Sequence, residues 1–139
     1  MSLIPPGAID HIGIAVRDLD LARTTYESVL GAELSVCEIV EEQGVKVAFM
    51  TLPGATRVEL IAPTDGEGAL ARFLDTYGEG MHHICITVED IKETLAVLEE
   101  AEVPLVDKSP RRGAEGSQIA FVHPAKLGGV LLELKQKAD

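Results

Sequence analysis

DHIGIAVRDLD at residues 10–20 and MHHICITVEDI at residues 81–91 are two writings of one pattern: His-Ile-x-Ile-x-Val-x-Asp, followed by Leu or Ile. The strict alternation marks a strand with two distinct faces, and the closing aspartate stands where a helix N-cap belongs. The repetition extends beyond these stretches. His11 and His83 are 72 residues apart, as are Ala48 and Ala120 in VAFMTLPGA and IAFVHPAKL, and Glu59 and Glu133 are 74 apart. A nearly constant spacing predicts two copies of one structural unit.

Each copy has the same layout. Asp18 precedes a helical spacing of Leu21, Thr25 and Val29, and Asp90 precedes Ile91, Leu95 and Leu98. The first helix should stop near Gly31, a residue suited to a left-handed C-terminal position. Three strands follow in each copy, at 34–40, 45–52 and 56–63 in the first, and at 104–108 (short), 118–123 and 129–136 in the second. Gly44, Pro53-Gly54, Gly113, Gly116 and Gly128-Gly129 provide the turns. The expected fold is α+β, with two tandem βαβββ modules pairing into a concave mixed sheet. One domain, 1–139, would hold halves at about 8–63 and 80–136, joined by 64–79 with a short helix near 70–77.

Composition narrows the function classes. A chain of 139 residues that is 46% hydrophobic is large enough to bury a core without staples. A formal charge of −11 repels nucleic acid and anionic membrane surfaces, so neither is an expected partner. No apolar run reaches the roughly 18 residues of a membrane span. MSLIPPGAID has no basic segment followed by an apolar stretch and cleavage site, so no secretory signal is expected. Cys37 and Cys85 form no close pair, and a reducing cytoplasm is the expected setting.

Alternation also sorts the polar residues. His11, Gly13 and Ala15 project to one face of their strand, opposite Ile12, Ile14 and Val16; His83, Cys85 and Thr87 likewise oppose Ile84, Ile86 and Val88. Glu59 lies between Val58 and Leu60, and Glu133 between Leu132 and Leu134, so each carboxylate opposes an apolar face. A lone strand histidine is more often structural than a ligand. Four polar residues at matching places in two copies are another matter, because a buried carboxylate is costly unless paired or metal-bound. The expected ligands of a divalent metal are His11, Glu59, His83 and Glu133; Co, Ni, Zn, Mn and Fe all suit imidazole and carboxylate. An octahedral ion would retain two positions for substrate. His82 falls on the opposite face from His83, and His123 has no histidine counterpart in the first copy and is read as structural.

These residues resemble a family. The doubled βαβββ unit with His, Glu, His, Glu is similar to the vicinal oxygen chelate superfamily, which includes glyoxalase I. Within it EEQGVKVAFM, EGMHHICITVEDI and SPRRGAEGSQIAFVHPAKLGGVLLEL resemble the methylmalonyl-CoA epimerases, with a likeness running from about Ile9 to Lys135. The resemblance implies a metal, most often Co2+, with Zn2+, Mn2+ or Ni2+ as alternatives. It implies an isomerase of propionate metabolism acting on an acyl-CoA, and a homodimer. Two departures stand out: Glu59 where some members carry glutamine, and Val47 where some place a glutamate proposed as general base.

The chemistry implied is interconversion of (2R)- and (2S)-methylmalonyl-CoA by α-proton abstraction through a metal-stabilised enolate. Epimerisation needs an acid/base group at each face, and Glu59 and Glu133, one per half, are the candidates; Glu42 in the EEQG turn, or a water, is the alternative. Lys108, Arg111 and Arg112 are candidates for the phosphates of coenzyme A, although a solvated loop explains them as well. Gln43, Ser117 and Gln118 are candidates for the acyl group. The rival functions are lactoylglutathione lyase activity of the glyoxalase I type and metal-free small-molecule binding on the same fold.

Overall fold

The computed structural model describes residues 3–5 and 7–139. The described residues form eight strands and three helices in an α+β arrangement. In order these are β1 (Ile9–Ala15), α1 (Leu19–Leu30), β2 (Glu33–Val40), β3 (Val45–Thr51), β4 (Arg57–Pro63), α2 (Ala69–Tyr77), β5 (Gly80–Thr87), α3 (Ile91–Glu100), β6 (Arg111–Arg112), β7 (Gln118–Val122) and β8 (Leu132–Gln136). The βαβββ unit therefore occurs twice, with α2 following the first copy. None of the described helices is long and apolar enough to cross a membrane.

The chain forms two compact units. One is His11–His82; the other is His83–Asp139 together with residues up to Asp10. In the first, strand order is β2-β3-β4-β1, with β1 parallel to β4 and the other neighbours antiparallel. In the second, it is β5-β8-β7-β6, with β5 parallel to β8 and the rest antiparallel. Each unit repeats the same mixed ladder.

Alternation assigns the faces. In the first unit Ala48 and Met50 of β3 and Val58, Leu60 and Ala62 of β4 pack with Leu19 of α1. In the second, Ala120 and Val122 of β7 and Leu134 of β8 pack with Ile91, Leu95 and Leu98 of α3. The repeated alanines 48 and 120 are thus small residues on the helix side, both fully buried. Their neighbours Phe49, Glu59, Phe121 and Glu133 must then face the other way.

The helix caps follow the sequence. Asp18 accepts a hydrogen bond from Leu21 N at 3.0 Å, and Asp90 one from Glu93 N at 3.1 Å. Gly31 ends α1 with φ 66°, a conformation in which a Cβ would be strained. Asp18→Ala and Asp90→Ala are each expected to lower stability by about 1 kcal/mol, read as a shifted urea midpoint at constant m.

Two expectations need correction. Leu21 and Val29 do not face the core: they are 65% and 72% exposed, and Thr25 is exposed beside them. The Asp18 cap sets the phase of α1 so that Leu19 is buried, with Ala22 and Tyr26 packed on the same core. The other correction concerns residues 104–108, which form no strand. Only Leu105 bridges to Val122, while the Asp107 carboxylate accepts from Phe121 N at 2.9 Å, so a side chain takes a place the ladder would have held. The second module's outer strand is instead Arg111–Arg112, paired with β7.

Candidate metal and proton-transfer site

In the first unit the parallel pairing of β1 with β4 sets Gly13 opposite Glu59, and the antiparallel pairing of β3 with β4 sets Phe49 opposite Glu59. His11 shares the face of Gly13. Its Nε2 lies 3.5 Å from Glu59 Oε1, and both residues are buried. The second unit repeats this construction, with Cys85 and Phe121 opposite Glu133 and His83 Nε2 3.3 Å from Glu133 Oε1. His83 and Glu133 are likewise buried.

These separations bear on what each pair can hold. A charge-assisted imidazolium–carboxylate hydrogen bond is about 2.7–2.9 Å long, shorter than either pair. Two ligand atoms each about 2.1 Å from one ion would stand about 3.0 Å apart at an octahedral angle and about 3.4 Å apart at a tetrahedral one. The donor set of nitrogen and carboxylate oxygen suits a divalent transition ion, and each of the four residues offers one ligand atom. Each pair, by its spacing and donor atoms, fits two ligands of such an ion.

A further layer repeats around each pair. The Phe49 ring meets the His11 ring edge-to-face, with centroids 5.1 Å apart and planes at 80°, and Arg57 Cζ stands 4.3 Å above the Phe49 centroid. Phe121 meets His83 at 5.8 Å and 84°, and Arg111 Cζ lies 5.6 Å from the Phe121 centroid. Sequence reasoning passed over both phenylalanines, although their 72-residue spacing was as visible as that of the alanines before them.

Two residues along β8 from Glu133, the buried Lys135 anchors an ionic cluster that was also missed. Lys135 Nζ donates to Asp10 Oδ2 at 3.1 Å and to Glu115 Oε1 at 3.0 Å. Burial alone would depress the Lys135 pKa. The hydrogen bond to Glu115 and the charges of Asp10 and Glu115 outweigh it and hold the pKa above the ordinary lysine value. Glu115 has φ 60°, so this ion pair fixes a residue in a sparsely populated backbone conformation.

The remaining candidates are spread over several elements. Gln43 closes a 3-10 turn, Glu41–Gln43, which also carries the exposed Glu42. Lys108 is exposed and 3.7 Å from Glu99. Arg111 Nε lies 3.3 Å from Asp107, and Arg112 is exposed beside it. The buried Ser117 hydroxyl donates to Ala114 O at 2.6 Å; Gln118 opens β7 and is exposed. His82 packs edge-to-face on Phe73 of α2 at 4.8 Å. His123 is exposed, and its Nδ1 accepts from Ala125 N at 3.0 Å, capping a turn. Val47 is buried in β3.

Residues 10–121 match the glyoxalase/bleomycin resistance protein/dioxygenase superfamily. The chain is 41% identical to the ethylmalonyl-CoA/methylmalonyl-CoA epimerase of Cereibacter sphaeroides, over 94% of this chain and 98% of that protein. It superposes on the crystal structure of methylmalonyl-CoA epimerase from Mycobacterium tuberculosis with TM-score 0.89 and 40% identity, covering 96% of this chain and 89% of that one. A methylmalonyl-CoA epimerase solved in complex with methylmalonyl-CoA and NH4+ gives TM-score 0.90 and 37% identity, with 96% of each chain covered. The chain belongs to the glyoxalase/bleomycin resistance protein/dioxygenase superfamily. Within it, its family is that of the methylmalonyl-CoA epimerases.

Proposed function

We propose that the protein interconverts the (2R) and (2S) forms of methylmalonyl-CoA by moving the proton on C2. The observation that carries this reading is the twin His–Glu pair, built identically in the two modules of a methylmalonyl-CoA epimerase relative. His11, Glu59, His83 and Glu133 would hold one divalent ion, with Co2+ the favoured occupant and Zn2+, Mn2+ or Ni2+ alternatives. Such an ion supplies Lewis-acid stabilisation for negative charge developing on a thioester oxygen.

The chain's own residues do the rest. Glu59 and Glu133, one from each module, serve the two faces of C2. One carboxylate would loosen from the ligand set to accept the proton while the other, loosened and protonated, returns one to the opposite face; the pair then resets its protonation with solvent, so charge and protons balance over the cycle. The low exposure of both carboxylates keeps bulk water out of the transfer step itself, and the pair re-equilibrates with solvent between turnovers. Lys108, Arg111 and Arg112 would meet the coenzyme A phosphates, and Gln43, Ser117 and Gln118 the acyl group. The homodimer and the cytoplasmic setting belong to the same reading.

Chelation tests it. Epimerisation of (2S)-methylmalonyl-CoA, and of ethylmalonyl-CoA in parallel, should fall at least 100-fold after exhaustive dialysis against a chelator and return with cobalt(II). Activity confined to the methylglyoxal–glutathione adduct would replace the epimerase reading with that of a lyase.

A further inference from the structure

A metal-ligating histidine needs more than a place on a strand. The torsion that swings its imidazole about the Cβ–Cγ bond is broad, so the strand alone does not decide where Nε2 points. Within each unit one element confronts that ring and is duplicated as faithfully as the ligands. Phe49 is the cross-strand partner of Glu59, and Phe121 of Glu133; each meets its histidine nearly at right angles. Both rings are buried, and both carry a guanidinium on a face, Arg57 over Phe49 and Arg111 over Phe121. The two arginines come from non-equivalent strands, β4 and β6, yet arrive at the same contact. Arg111 is itself held by Asp107.

We infer that Phe49 and Phe121 are positioning residues for the metal. Each is an aromatic wall, pinned from one side by an arginine, that fixes its histidine ring in the orientation that aims Nε2 at the point its glutamate also faces. An edge-to-face ring contact at these centroid distances is attractive as well as obstructive, and a cation over the phenyl face holds the wall still. A leucine would fill most of the volume but leave the imidazole room to turn. The inference rests on the metal-binding reading above.

The test is a cobalt(II) chloride titration of metal-free protein, followed by visible absorption, on wild type, Phe49→Leu, Phe121→Leu, Phe121→Tyr and Phe73→Leu. Phe73 makes the same kind of contact with His82, which is not among the proposed ligands, and so controls for loss of a ring alone. Phe49→Leu and Phe121→Leu should each weaken cobalt binding roughly 10–100-fold, the cost typical of losing an outer support of a ligand, and should shift the cobalt absorption bands. Phe73→Leu and the ring-preserving Phe121→Tyr should stay within about twofold of wild type. A purely structural role for the two rings would lower the unfolding midpoint of the metal-free protein and leave cobalt affinity and spectrum unchanged; that result overturns the inference. Phe49 is fully buried, and if its leucine variant fails to fold, Phe121→Leu decides, since Phe121 is 8% exposed. Wild type that binds no cobalt overturns both readings, and the wild-type titration alone identifies that case.

Discussion

Glu133→Gln is expected to lower the epimerase turnover number by about 10²–10⁴-fold, the contribution typical of a positioned proton-transfer group. The substitution keeps the shape of a residue that is 6% exposed and packed between strands, so the fold should survive. It removes the site at which a proton is accepted or returned. If the carboxylate only held metal, part of the rate would come back at saturating cobalt; if it moves the proton, no cobalt concentration restores it. Glu59→Gln is expected to behave in the same way, with its loss assigned to the opposite face of C2. Glu42→Gln is the comparison that decides between acids. A wild-type rate in Glu42→Gln, set against losses in the other two, assigns the proton to the buried pair. Full activity in both Glu59→Gln and Glu133→Gln, with a large loss in Glu42→Gln, assigns it to the exposed turn after β2.

The second large effect lies outside the chemistry. Lys135→Met should destabilise the fold by about 3–5 kcal/mol, because removing one partner of a buried ion pair leaves the Asp10 carboxylate poorly compensated, with Lys137 Nζ at 3.9 Å. Lys135 is 3% exposed and the Asp10 side chain 4%, so water reaches neither. The Glu115 side chain, 29% exposed, has a way out to solvent and suffers less. The melting temperature, followed by circular dichroism at neutral pH, should fall by roughly 10–20 °C. Asp10→Asn in the same chain should recover part of the loss, since the two changes share one interaction. The pH dependence has a definite sign. Because the folded-state pKa of Lys135 is raised, its stabilisation is complete below the unfolded lysine's value, about 10.4, and is lost as pH rises through the folded value. Wild type and Lys135→Met should therefore converge only in strongly alkaline solution. A change below about 1 kcal/mol at neutral pH would mean that the cluster contributes nothing net.

What could be read from the sequence was whatever the duplication wrote twice. His11 with His83, Ala48 with Ala120, and Glu59 with Glu133 stand at matching spacings, and strand alternation then assigns each to a face. The two βαβββ units and the His–Glu pair in each follow from that. Features not written twice were harder to see. The α1 stripe was misplaced because Leu21 and Val29 look like a core face until the Asp18 cap sets the helix phase, and the true stripe includes Ala22, too small to stand out in a pattern. The strand expected at 104–108 looked regular, but Asp107 uses a side chain to bind Phe121 N. Lys135 and Asp10 were legible only as charges inside apolar strands; their pairing across 125 residues is a tertiary fact. Phe49 and Phe121 were in plain view and carried the same 72-residue interval. They were passed over because an aromatic in a strand is usually core.

The most direct measurement follows the C2 proton of methylmalonyl-CoA by NMR in heavy water, with the cobalt-reconstituted protein. Rapid, metal-dependent exchange of that proton for deuterium, with racemisation at C2, is the predicted result. No exchange with any divalent ion would contradict it.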